Sequence, residues 1–177
     1  MLYKELVETY VNLESSPKRL DKTFFLSDLF RKTKDDEIDK VVKLIQGKVF
    51  PDWEDKKIGV AARLVIRAIN VTTGLSIEKI EDEWKKAGDL GIVAQNLTKK
   101  KVQSTLFSSD LTVDKVYENI KRLAQMSGQG SLDYKIKQIC ELLSNATDVQ
   151  ARFIVRTLLE ELRVGASDGT IRDAIVW

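Results

Sequence analysis

Apolar residues recur three and four positions apart along almost the whole chain, and strict alternation is nearly absent, which predicts a fold made only of helices. The last long run illustrates the pattern. Ala151, Ile154, Val155, Leu158, Leu159 and Leu162 fall on one helical face, while Arg152, Arg156, Glu160 and Arg163 form the neighbouring stripe. About ten such helices are expected from the periodicity. The breaks between them lie at "ESSPKR", "QGKVFPDW", "TTGLS", "KAGDLG", "FSSDLT", "MSGQGS", "SNATD" and "VGASDG", each mixing residues that cap helices or accept turn dihedrals. None is long enough to link two domains. A chain of this length buries roughly 70% of the surface its unfolded form exposes, so residues 1–177 are expected to form one all-α, multi-helix domain.

Two stretches resemble one another. "ARLVIRAI" from Ala62 and "ARFIVRTL" from Ala151 share the order Ala-Arg, three apolar residues, Arg, any residue, apolar. Each precedes a loop with a glycine, Gly74 or Gly165, and Ile80 and Ile171 keep the same spacing from those glycines. The likeness predicts two related helix-loop-helix units, and so two pseudo-symmetric helical halves; chance similarity between amphipathic helices is the alternative. The copies differ where the first reads "VTTG" and the second "LRVG", which adds Arg163. The second unit is therefore expected to matter more for anion contact than the first, with its Arg63.

Composition narrows the chemistry. There is no histidine, which removes histidine acid-base catalysis, Ser-His-Asp and Cys-His arrangements and ordinary zinc sites, so no metal or catalytic residue is assigned. Cys140, the single cysteine, sits in "IKQICELL" on an apolar helical face and is expected to be a plain buried thiol. With 29 Lys+Arg against 27 Asp+Glu, general attraction to polyanions is weak, and any nucleic-acid affinity must come from local clustering. "MLYKELVETY" fits an amphipathic helix and no run approaches the ~18 apolar residues of a membrane span, so a soluble intracellular protein is expected.

Two stretches concentrate candidate groups. Arg163 is expected in the last turn of the long helix just before Gly165, where backbone approaches a ligand closely and a guanidinium suits phosphate. Arg152 and Arg156 on the same stripe either face an anion or support the edge of the core. In "MSGQGSLDYKIK", Gly128 and Gly130 leave the backbone open, Ser131 can cap the next helix, and Lys135 and Lys137 follow closely. This is not a Walker loop, because the Gly-Lys-Ser/Thr ending is missing.

These stretches, together with "GKVFPDWEDKKIGVA", "KAGDLGIVAQNL" and "TLFSSDLTVDKVYENIKRLAQ", closely resemble the N-terminal DNA-binding domain of ATP-dependent DNA ligases of archaeal type. The resemblance covers essentially the whole chain. Its most specific part is "SGQGS" followed by Ala-Arg-x-x-x-Arg and Leu-Arg-x-Gly. It implies an all-helical domain of two pseudo-symmetric halves that grips the minor groove on either side of a nick. Groove-facing residues carried over by position are Arg163 and Gly165, with Ser127, Gly128, Gly130 and Ser131 at the second loop; Lys135 is a phosphate neighbour and Arg19 in "SSPKRL" a weaker one. Arg152 and Arg156 complete the set. The chain departs from the pattern at Leu132, where many relatives have glutamine, at Gln95, where glutamate is usual, and at Glu160-Glu161, where eukaryotic relatives carry Gly-Arg.

The catalytic lysine of that family lies in a Lys-x-Asp-Gly motif of a nucleotidyltransferase domain, and this sequence has no such motif. The resemblance therefore implies an isolated, inactive and monomeric DNA-binding domain of an enzyme that seals nicks in replication, recombination and repair. No cofactor belongs to this part, while ATP and Mg²⁺ serve the parent enzyme. The implied partners are nicked duplex DNA and the catalytic domains of the same polypeptide, with no membrane. The implied location is cytoplasmic and nucleoid-associated, or nuclear in a eukaryote. A helical adaptor that binds a partner protein between repeated helix pairs is the alternative.

Overall fold

The computed structural model describes residues 1–99, 110–126, 128 and 130–177. Ten helices are found among them, as the periodicity predicts, and no strand beyond an isolated antiparallel bridge between Leu2 and Thr112. The first three are α1 (Tyr3–Ser15), α2 (Arg19–Lys32) and α3 (Ile38–Ile45). After the "QGKVFPDW" break come α4 (Ala62–Thr73), α5 (Ile77–Ala87) and α6 (Leu90–Thr98). The remainder are α7 (Val113–Gln125), α8 (Ser131–Asn145), α9 (Asp148–Leu158) and α10 (Asp168–Val176).

Local chemistry explains several of the boundaries. The Ser76, Thr112 and Ser167 side chains accept hydrogen bonds from the backbone N–H three residues on, and Asp89 accepts from both Gly91 and Ile92. At α9, Thr147 and Gln150 satisfy each other's backbone N–H groups in a capping box. α4 and α5 end on Gly74 and Gly88, whose N–H groups return to the carbonyls of Asn70 and Trp84.

The helices share one core. α6 lies most closely on α9, α4 on α8 and α2 on α10, and α1 bridges α2, α7 and α9. Tyr10 and Phe153 pack within it with ring centroids 4.9 Å apart and planes inclined at 43°, and the Tyr10 hydroxyl donates to the Leu44 carbonyl. The chain start is fastened as well: Tyr3 N–H donates to Leu111 O, Val113 N–H donates to Met1 O, and the Met1 ammonium pairs with Glu37.

Gly91 sets the separation of α6 and α9. A Cβ there would lie 2.7 Å from the Arg152 carbonyl oxygen and 2.8 Å from Cγ of Arg156, so the two backbones meet at a distance only glycine permits.

The two stretches of similar sequence differ in the connections that follow them. Residues 74–76 join α4 to α5, whereas residues 159–167 join α9 to α10. The expected continuation of α9 to Arg163 is corrected: the helix ends at Leu158. Glu160 takes φ +57°, its N–H donates to Thr157 O, and Glu161 N–H donates to Arg156 O, the bonding of a Schellman terminus. Glycine usually fills that left-handed position, and here a glutamate does.

Candidate nucleic-acid interface

The segment 159–167 is a braced loop. Leu162 and Val164 are 5% and 3% exposed, while Arg163 between them has a side chain 75% exposed. Both neighbours are buried and the arginine between them faces outward. Leu162 packs on Gly47, where a Cβ would stand 3.1 Å from the leucine Cβ. At the start of the loop, Glu160 Oε1 accepts from Ile58 N–H; at its end, Gln46 Nε2 donates to Asp168.

Arg163 itself is held at φ +51°, a region that L side chains rarely adopt, and Gly165 follows at φ +71°. Arg163 faces Glu161 at 3.5 Å, an exposed pair that contributes little to stability. Behind Gly165, the Lys22 ammonium on α2 donates to the carbonyls of Val164 and Gly165 at 3.3 and 3.1 Å. Gly165 is thus not a helix terminator, as the sequence suggested, but part of this turn.

The other candidates fall into separate places. Arg19, also on α2, pairs with Asp173 of α10 and stays largely exposed. Gly128 and Gly130 are exposed at φ +99° and +80° with nothing within 4 Å of a Cβ, so conformation and not space calls for glycine there. Gly130, not Ser131, is the N-cap of α8; Ser131 is its first residue, and its N–H donates to Gly128 O. Lys135 is half-buried one turn along. Ser127 lies outside the described residues. No hydrogen bond or ion pair among the described residues joins this loop to the one at 159–167.

Arg152 and Arg156 lie at the edge of the core, each paired with acids of other helices. Arg156 is 11% exposed; its Nε and Nη2 donate to Asp89 Oδ2 at 2.9 and 2.6 Å, and its Nη1 pairs with Glu14. Arg152 donates to Glu14 at 2.8 Å and lies 4.4 Å from the centre of the Phe153 ring. Burial works against the charge on Asp89, yet the Arg156 guanidinium and the N–H groups of Ile92 and Gly91 outweigh it and hold the carboxyl below its ordinary range. Burial likewise opposes the charge on Arg156, and Asp89 and Glu14 reverse that effect. Arg63 and Arg67, at the matching positions of the similar stretch in α4, are exposed and have no carboxylate within ion-pair distance among the described residues.

Cys140 is half-buried, not fully enclosed, with Sγ 3.6 Å from the Ala68 carbonyl oxygen, and burial pushes its thiol pKa up. Among the described residues no group of three His, Cys, Asp or Glu side chains could hold a metal, and no helix is long and apolar enough to cross a membrane.

The family model for the DNA ligase N terminus matches residues 2–176. The chain belongs to this family. Among curated relatives, a DNA ligase of Methanothermobacter thermautotrophicus is 45% identical over 175 residues, which cover 99% of this chain and 31% of the relative. A DNA ligase of Nitrosopumilus maritimus is 42% identical, with 99% of this chain and 30% of the relative covered. That of Thermococcus onnurineus is 39% identical, with 99% and 31% covered. The chain thus spans about a third of the length of the ligases it matches. Lys22, which braces the Leu-Arg-x-Gly loop, carries no signal in the sequence, because its acceptors lie 142 and 143 positions away.

Proposed function

We propose that this chain binds duplex DNA around a nick, without regard to sequence, as the DNA-binding part of an ATP-dependent DNA ligase. The observation that carries the reading is Arg163: an outward guanidinium at positive φ on a loop whose neighbouring side chains are buried. Backbone strain of this kind costs about 1 to 2 kcal/mol and persists where surrounding structure imposes it. A cation so presented suits a phosphate or the edge of a minor groove. Arg163, Gly165 and, more peripherally, Arg19 form the first contact region, and Gly128, Gly130, Ser131 and Lys135, with Ser127, the second. Arg152 and Arg156 support the fold between them.

In this reading the chemistry of sealing belongs to other parts of the enzyme. A lysine there takes AMP from ATP with Mg²⁺ and passes it to the 5′-phosphate at the nick. The present chain, with no Lys-x-Asp-Gly motif, contributes grip and orientation as a monomer, and works where chromosomal DNA is found. Incubated with labelled ATP and Mg²⁺, it is expected to acquire no covalent label.

Titration of nicked duplexes of AT-rich and GC-rich composition at several salt concentrations tests the proposal. A ligase must act at any sequence, so similar affinity for both duplexes is expected. Affinity should fall with salt by about 0.9 in log-log slope for each phosphate neutralised. Binding that ignores salt, or that follows base composition, would overturn it.

A further inference from the structure

The Lys22 ammonium lies on α2, remote in sequence from the loop it touches, and its two acceptors are backbone carbonyls. It has no carboxylate partner among the described residues. Val164 and Gly165 directly follow Arg163, so both carbonyls belong to the turn that aims the arginine. The ammonium also fills the space a Cβ would need at Gly165. One lysine therefore satisfies two loop acceptors and occupies the gap left by the glycine.

We propose that Lys22 is the positioning residue for the anion-contacting loop: it holds Val164 and Gly165 in the arrangement that presents Arg163 to DNA. This inference rests on the DNA-binding reading above. The chemistry favours positioning over direct contact. An ammonium has three N–H donors, and two of them are directed at carbonyls of the loop. Leaving those carbonyls for a phosphate would release the loop backbone and with it the geometry of the strained arginine. Methionine at position 22 would keep the stem and lose every donor.

The test is a double-mutant cycle on DNA binding, read as affinity and as salt slope. Arg163→Ala is expected to weaken binding about tenfold or more, the scale of a charge-assisted hydrogen bond, and to lower the salt slope by about 0.9. Lys22→Met should reproduce most of both losses. The double variant should bind as Arg163→Ala does, because Lys22 acts through the arginine. Amide hydrogen exchange supplies the second measurement: in Lys22→Met, residues 164–167 should exchange faster while α9 keeps its protection. Additive losses of slope would make Lys22 a phosphate contact and overturn the positioning role. So would unchanged affinity in Lys22→Met, or a fall in affinity at unchanged slope, which marks a merely structural lysine. If the unaltered chain fails to bind DNA, the underlying reading falls; if it binds and depends on Arg163 but not on Lys22, only the present inference does.

Discussion

Arg156 directs both Nε and Nη2 at a single carboxylate oxygen of Asp89, the residue that also caps the N-terminus of α6. One side chain thus closes the end of one helix and ties it to another. Asp89→Ala removes both functions and is expected to destabilise the protein by about 2 to 4 kcal/mol, combining a lost cap with a half-buried cation left partly unpaired. Asp89→Asn, which still accepts from Gly91 and Ile92, should cost less. Urea denaturation of the three proteins measures the difference.

The same carboxyl predicts a pH dependence. Its pKa is held below the ordinary range in the folded chain, so the stability it contributes is present in full above the unfolded value, about 3.9. That contribution is lost as the pH falls through the depressed folded value. The stability gap between the unaltered protein and Asp89→Asn should accordingly be wide at neutral pH and narrow in acid. Denaturation curves at pH 7 and pH 3 check it.

Gly91→Ala tests the approach of α6 to α9. The added methyl meets a backbone carbonyl that cannot swing aside, and overpacking of this kind costs about 1 to 3 kcal/mol. Thermal unfolding should shift downward while helical circular dichroism at low temperature stays near that of the parent.

Glu160→Gly should act in the opposite direction. It relieves a left-handed glutamate at the Schellman terminus, a gain of about 1 kcal/mol, and gives up a long 3.4 Å hydrogen bond from Ile58. A higher urea midpoint with unchanged slope is the expected result; a lower midpoint would mean that the bond to Ile58 matters more than the strain.

The arginines at matching positions of the two similar stretches should respond differently. Arg156→Ala removes a guanidinium that serves two acids and should destabilise by about 2 kcal/mol or more. Arg67→Ala, and Arg63→Ala beside it, should leave stability within about 0.5 kcal/mol, as exposed substitutions do. Parallel denaturation of the single variants distinguishes the two classes.

This contrast also shows where the sequence stops being legible. The helices and most breaks follow from three- and four-residue spacing and from cap chemistry, both local, and Ala151, Ile154, Val155 and Leu158 are buried as their spacing requires. What Arg152 and Arg156 do depends on Glu14 and Asp89, which the fold brings in from other helices. The end of α9 was hidden for a different reason. A glutamate occupies the position where glycine would have announced the turn, and Leu162 keeps the helical spacing although it is buried from a loop. Arg163 and Gly165 could be named from the motif, but the burial of Leu162 and Val164 that turns the arginine outward required the folded chain.

Lys22 and Gly165 stand 143 positions apart, yet they occupy one volume between them. Substitution at either is therefore a choice about both. A relative that carries a side chain at the second position must accept it at positive φ and move the ammonium of the first off the two loop carbonyls. Across an alignment of the family the two columns should vary together, with lysine at the first favoured in chains that keep glycine at the second.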